Sequence, residues 1–302
     1  MANGNERYLE RAQMSWINGN TFTTPVFQRY RQLNQGLDWE NWNDPAVKQK
    51  NVEIMRKRSS LHLEIGARKG GWIFPEKIYL DNPAYMSRAP EHIDAIDRLI
   101  LEQPMCHSLR VRFDDLTQSL IPKYIEEGLS KKDSLRVASF GAGTGRDIMT
   151  VMTRYHQITA DLYDIDESAL SVGRDIARTM GMEDRVNFYP QDLTKIQQRE
   201  YDLGLLIGII CPLEDKTARI VLKAVKRNLS DTAPLIVSSS SDKMRYEDPL
   251  SRFLIEYSAD WFLEFRDAAR MEEVIRSADL AVIENTQESS GFNRLAVCRK
   301  TN

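Results

Sequence analysis

The stretch VASFGAGTGRDI, residues 137–148, places Gly141, Gly143 and Gly145 directly behind an apolar run and directly before a helix-forming one. Glycine is a poor choice inside a strand or helix, because it adds backbone freedom that folding must remove. It is useful where the chain must turn with positive φ, or where another molecule lies against the main chain. The stretch therefore reads as a strand, a tight turn and a helix N-terminus. Such a turn is expected to leave backbone N–H groups facing an open crevice in which a ligand sits close to the chain.

Working outward, the pattern repeats. LRVASF (135–140), ADLYDI (160–165), RVNFYP (185–190), YDLGLLIGII (201–210) and APLIVSSSS (233–241) read as buried strands. Helical runs at 146–156, 167–181 and 214–229 lie among them. This alternation is the mark of an open, mostly parallel sheet with helices on both faces. After a helix at 268–280, AVIENTQ and FNRLAVCRK are two extended runs separated by Ser-Ser-Gly, as expected of an antiparallel pair closing one edge. The fold class is thus α/β, with a Rossmann-like seven-stranded sheet.

The first 130 residues have a different texture. A helix is expected over 6–17, and Asp44-Pro45 supplies a cap and first-turn pair for the helix beginning there. Next come the glycine-containing GARKGG (66–71), the apolar WIFPEKIYL, and helices near 90–102 and 108–128, the second interrupted by Pro122. Four of the five tryptophans, Trp16, Trp39, Trp42 and Trp72, fall here. Residues 1–130 are read as a mainly helical substrate cap or lid, and 131–302 as the sheet domain. The aromatic region could instead complete a core or a homodimer interface.

Composition narrows the partners. A net charge of −3 and a pI near 5.9 give no general attraction to nucleic acid. No apolar run is long enough to span a membrane. Cys106, Cys211 and Cys298 lack metal-ligand spacing, so no metal site is expected, and the usage suits a cytoplasmic setting.

Two downstream acids sharpen the ligand. Asp164 ends the second strand 19 residues after Gly145, where a carboxylate can accept both hydroxyls of a ribose. Asp192, in YPQDL after the third strand, is placed for an adenine amino group. The dinucleotide fingerprint needs a small residue where this chain has Arg146, which disfavours NAD. With the glycine turn, Asp164 and Asp192 in this order, residues 130–302 resemble the class I S-adenosylmethionine-dependent methyltransferases. The resemblance implies S-adenosylmethionine as cofactor, held by Ser139, Gly141, Ala142, Gly143, Thr144, Gly145, Asp164, Ile165, Asp192, Leu193, Ile207 and Gly208. One departure stands out: the family's acidic residue near the cofactor's amino group is here Ser139.

The residues after the fourth strand bear on the acceptor. Methyltransferases acting on planar amino groups often carry Asn or Asp followed by Pro-Pro-Tyr/Phe there, whereas this chain has IGIICPL (207–213). The apolar lining suits a small molecule of apolar or aromatic character. An RNA or protein methyltransferase, or a non-catalytic binder of the cofactor, are the alternatives. His107, Tyr85 and Cys211 are candidate catalytic side chains, and no general base is singled out among them.

Overall fold

The computed structural model describes residues 17–18, 20–67, 70–80 and 90–301. Its centre is a seven-stranded sheet of order β3-β2-β1-β4-β5-β7-β6. The strands are β1 (Leu135–Phe140), β2 (Ile158–Asp164), β3 (Val186–Pro190), β4 (Leu203–Leu206), β5 (Leu235–Ser240), β6 (Leu280–Gln287) and β7 (Asn293–Lys300). β1 to β5 pair in parallel, and β7 runs antiparallel to both β5 and β6. The expected sheet and its antiparallel closing pair are both present.

Side chains alternate across each strand, so the two faces bury separate cores. Val137, Ala160, Leu162 and Leu205 meet Ile121, Ile148, Met149 and Met152 on one face. Ala138, Phe140, Tyr163 and Leu206 meet Ala218, Leu222, Met271 and Ile275 on the other. Between β3 and β4 the chain makes only a short 3-10 turn, Leu193–Lys195. There Tyr163 and Tyr189 stack at 4.9 Å. The buried Asp161 accepts from Tyr201 Oη at 2.6 Å, Arg199 Nη1 at 3.0 Å and Asn187 Nδ2 at 2.9 Å.

Two elements differ from the sequence reading for clear reasons. β4 stops at Leu206, because Gly208 takes φ +77° and turns the apolar run away from the ladder. Pro122 does not break its helix. Helix Pro104–Asp115 passes through a π-helical turn, Leu116–Leu120, into helix Ile121–Leu129. The N–H of Ile121 is taken by the Leu116 carbonyl, and Pro122 has none to give. The Thr117 carbonyl thereby loses its backbone donors and accepts from the Arg154 guanidinium instead.

The chain divides into two compact units: the described residues up to His107 with Arg245–Phe262, and Ser108–Met244 with Leu263–Asn302. The division therefore falls before 108, not at 130/131, and a late segment joins the N-terminal residues. The first unit is helical. Asp44 caps helix Pro45–Arg58 through the N–H groups of Ala46 and Val47, as expected. Ser59 then takes an extended conformation, and Asp97 accepts from the N–H groups of Ser60 and Leu61 to start helix Ser60–Ala67. Trp39 and Trp42 pack edge-on against Phe22, in an aromatic core that includes Phe253 and Tyr257 from helix Pro249–Ala259. The helix expected over 6–17 lies outside the described residues apart from Ile17.

This unit buries a histidine without charging it. His62 Nε2 lies 2.8 Å from Tyr30 Oη, and Nδ1 lies 3.3 Å from Ser258 Oγ. Burial above all, with the Arg56 charge, pushes its pKa down to about 3 from 6.5. As pH falls below 6.5 the unfolded chain takes up a proton that the folded chain refuses. The stability from this residue is therefore complete above that pH and is lost as pH drops toward 3. Between pH 7 and pH 5 the parent should lose about 2 kcal/mol more unfolding free energy than His62→Gln, as read from urea titrations. Equal losses would mean that His62 titrates as an ordinary histidine.

Candidate functional site

The glycine turn is built on the end of β2. The N–H groups of Gly141 and Ala142 both donate to the Tyr163 carbonyl, at 2.8 and 2.9 Å. Gly143 N–H donates to Asp164 Oδ2 at 2.7 Å, and Gly145 N–H to the Ala142 carbonyl at 2.9 Å. The three glycines have φ of +70°, +56° and +72°, which side chains disfavour. At two of them a side chain would also crowd a neighbouring side chain. A Cβ on Gly141 would stand 2.2 Å from Ile209 Cδ1, and one on Gly145 would stand 2.3 Å from Leu162 Cδ1.

This corrects the expectation that the turn aims its N–H groups into the crevice. Those of Gly141, Ala142, Gly143 and Gly145 are spent within the fold. The turn supplies main chain without side chains rather than an anion cradle. The first turn of helix Arg146–Met152 also carries Asp147, whose Oδ1 accepts from Ile148 N–H at 2.7 Å.

Asp164, half-buried at the end of β2, is not the helix cap. Asp166 does that work, accepting from Ser168 N–H at 2.9 Å. Asp164 Oδ2 holds Gly143, and Oδ1 accepts from Asp166 N–H at 2.9 Å. Each carboxylate oxygen keeps a further lone pair, so the pair of them can still accept two hydroxyls. Ile165, next in the chain, is 76% exposed, an apolar surface for a flat ring.

Register puts Asp164 beside Pro190, so Asp192 comes two residues beyond the neighbouring strand end. Asp192 is exposed and caps the 3-10 turn, its Oδ1 accepting from Thr194 N–H at 2.9 Å and from Thr194 Oγ1 at 2.8 Å. Those bonds hold its carboxyl below the usual carboxylate range. One oxygen is thus committed to the turn. Leu193 is half-buried against the second core, and Ala142 and Ile207 pack on the first. Ser139 and Thr144 are buried.

A side chain that the sequence gives no reason to single out fixes the loop after β4. Arg266 is fully buried, donating from Nη1 to the Ile210 carbonyl at 2.9 Å and to Ser239 Oγ at 3.1 Å, and from Nη2 to the Leu213 carbonyl at 2.6 Å. It pairs with Asp215 at 2.9 Å. Burial would raise the Asp215 carboxyl, but the bonds and charges of Arg270 and Arg266 together hold it below its usual range. Gly208 N–H donates to Ser238 Oγ at 2.8 Å, and the Cys211 carbonyl accepts from Glu264 N–H at 2.6 Å. Gly173 likewise gives no sign of its role in the sequence. A Cβ there would lie 2.7 Å from the Thr144 carbonyl, so this helical glycine lets the turn settle onto helix Glu167–Thr179.

Of the candidate catalytic side chains, Cys211 is a buried thiol in this loop, and His107 is exposed on helix Pro104–Asp115 in the helical unit. Tyr85 lies outside the described residues. Among the described residues, no group of His, Cys, Asp and Glu could hold a metal ion, and no helix is long and apolar enough to cross a membrane.

Packing at the turn is testable with two glycines of similar backbone angles. Gly145→Ala should cost about 3 kcal/mol, from left-handed strain plus overpacking against Leu162. Gly181→Ala, with φ +65° and nothing within 4 Å of the new Cβ, should cost only about 1 kcal/mol by chemical denaturation. Equal costs would show that Leu162 yields freely.

The chain matches no curated protein with which it was compared. Solved structures resemble it at low identity and indicate the fold alone. A possible exported protein from Bordetella parapertussis is 14% identical with a TM-score of 0.64, each chain being covered completely. An O-methyltransferase from neocarzinostatin biosynthesis, in complex with S-adenosylhomocysteine and 1,4-dihydroxy-2-naphthoic acid, is 15% identical with a TM-score of 0.53, over 85% of this chain and 75% of that one. The N,N-8-amino-8-demethyl-D-riboflavin dimethyltransferase from Streptomyces davawensis is 16% identical with a TM-score of 0.50, over 93% and 71%. The family described as "Putative methyltransferase" matches residues 5–300, and by that match the chain belongs to this methyltransferase family.

Proposed function

We propose that the chain transfers a methyl group from S-adenosylmethionine to a small-molecule acceptor of apolar or aromatic character. The observation that carries the cofactor is the joining of the glycine turn to Asp164, which leaves a carboxylate for a ribose beside main chain bare of side chains. The spent N–H groups of Gly141, Ala142, Gly143 and Gly145 argue against a dinucleotide, whose pyrophosphate needs donors there. A sulfonium cofactor carries no phosphate.

The acceptor reading rests on the loop after β4. Ile209, Pro212 and Leu213 are half-buried and apolar, and no polar side chain of the loop is set to hold a planar amine. A sulfonium methyl is already electrophilic, so the protein's tasks are to align the acceptor, exclude water and, for some acceptors, accept a proton. The naphthoic acid bound to the neocarzinostatin enzyme is an acceptor-sized aromatic molecule of the kind this reading invokes. We further propose that the helical unit selects the acceptor, and that the buried cysteines, none of them in a disulfide, suit a reducing cytoplasm.

Incubation of an extract with isotopically labelled methyl donor and the protein should place label in small molecules. Label in RNA or protein would replace the acceptor class, and no turnover would leave a binding protein. Asp164→Ala should weaken S-adenosylhomocysteine binding by about 10- to 100-fold in calorimetry, with the fold retained. An unchanged affinity would leave Asp164 only as the anchor of the turn. Trp72→Ala should depress transfer several-fold at unchanged S-adenosylhomocysteine affinity if the helical unit selects the acceptor. Parallel loss of both would make that unit structural.

A further inference from the structure

Helices Arg146–Met152, Glu167–Thr179 and Asp215–Lys226 fill three of the four connections among the parallel strands β1 to β5. The fourth, from β3 to β4, has only the 3-10 turn Leu193–Lys195 in an otherwise irregular coil, and this coil carries Asp192. Of residues 191–200, all but Leu193, Ile196 and Arg199 are exposed, so that every third side chain faces the sheet. Leu193 and Ile196 pack on the second core. Arg199 is the third anchor. Its Nη1 donates to Asp161 Oδ2 at 3.0 Å and to Tyr189 Oη at 2.9 Å, and its guanidinium carbon lies 4.8 Å from the centre of the Tyr189 ring. Its main-chain N–H donates to Asn228 Oδ1 at 3.2 Å.

At the start of the coil, Gln191 N–H donates to the Asp164 carbonyl at 3.0 Å. Both ends of the coil are therefore tied to β2, one at Asp164 and the other at Asp161. The strand that presents Asp164 also sets where Asp192 stands. In a nucleoside the ribose hydroxyls and the adenine amino group are a fixed span apart, and two acids can meet both only if their own spacing is held. We propose that Arg199 is a positioning residue, which pins the coil to β2 and so holds Asp192 at the adenine amino group, in place of the helix that braces each other connection. The planar guanidinium suits the task, since it can lie on the Tyr189 ring while it donates to Asp161. Its removal strands no buried charge, because Asp161 keeps Tyr201, Asn187 and Arg136 as donors.

The assignment rests on the proposed cofactor, and one calorimetric series separates the two. The probes are S-adenosylhomocysteine and S-inosylhomocysteine, whose base carries a carbonyl oxygen in place of the amino group. The parent should favour the first by about 10-fold. Arg199→Met should weaken S-adenosylhomocysteine by about 3- to 10-fold and leave S-inosylhomocysteine within about 2-fold, with Arg199→Lys intermediate for the first ligand only. In an Asp192→Ala background the same change at Arg199 should have no further effect, since it acts through Asp192. Tyr189→Phe, which keeps the ring and removes one acceptor, should repeat the pattern at a smaller factor and serves if the Arg199 variants fail to fold. Parallel losses for both probes, losses that add to that of Asp192→Ala, or no loss for S-adenosylhomocysteine would overturn the role of Arg199 and leave the cofactor reading standing. A parent that binds both probes equally would do the same, since Asp192 would then not meet the amino group. If the parent binds neither probe, the cofactor reading falls and takes this assignment with it.

Discussion

The hydrogen bond from Gly143 N–H to Asp164 Oδ2, at 2.7 Å, ties the two parts of the candidate site into one body. Beside it, the Tyr163 carbonyl accepts from both Gly141 and Ala142. Three successive N–H groups of the turn are thus fixed by two successive residues of β2. The carboxylate that would meet a ribose is also the one that shapes the turn beneath it. Little remains to be ordered when a ligand arrives, which is the advantage of a preformed site.

The second wall is set the same way. Glycine at 208 turns the chain after β4, and Arg266 grips the carbonyls of Ile210 and Leu213 from below. Burying a guanidinium is costly unless every donor finds an acceptor, and here two main-chain carbonyls, Ser239 and Asp215 supply them. Hydrophobic residues of the same volume would fill the space without holding those carbonyls. Ile209 then reaches the glycine turn, so that the turn after β1 and the loop after β4 touch at Gly141. The two loops are braced separately and packed together.

Much of this is legible in the sequence because the deciding constraints are local. Three glycines after an apolar strand announce positive φ, and DIDES allows one aspartate to cap the helix while the other serves elsewhere; Asp166 caps, and Asp164 holds the turn at Gly143. The Asp44-Pro45 pair announces its helix for the same reason, and Asp248-Pro249 repeats it for helix Pro249–Ala259. What the local signal cannot carry is which unit that helix joins, because its partners, such as Asn51 against Tyr257, lie some two hundred residues away in sequence. β4 reads too long in the sequence because Ile209 and Ile210 are apolar for a different purpose, packing a turn. Pro122 reads as a break because the π turn and the Arg154 guanidinium that accommodate it lie outside its own segment. Arg266 gives no signal at all, since two of its four partners are main-chain carbonyls, which every residue has, and the other two lie 27 and 51 residues away in sequence.

If the end of β2 is a ribose site, the glycine turn is its floor, and the rest of the proposed chemistry is built on that pairing. The decisive measurement is a crystal structure of the protein with S-adenosylhomocysteine. Both ribose hydroxyls should lie within about 3 Å of the Asp164 carboxylate, with the Gly143 bond intact. A nucleoside bound elsewhere, with Asp164 holding only Gly143 and Asp166, would contradict the ribose assignment.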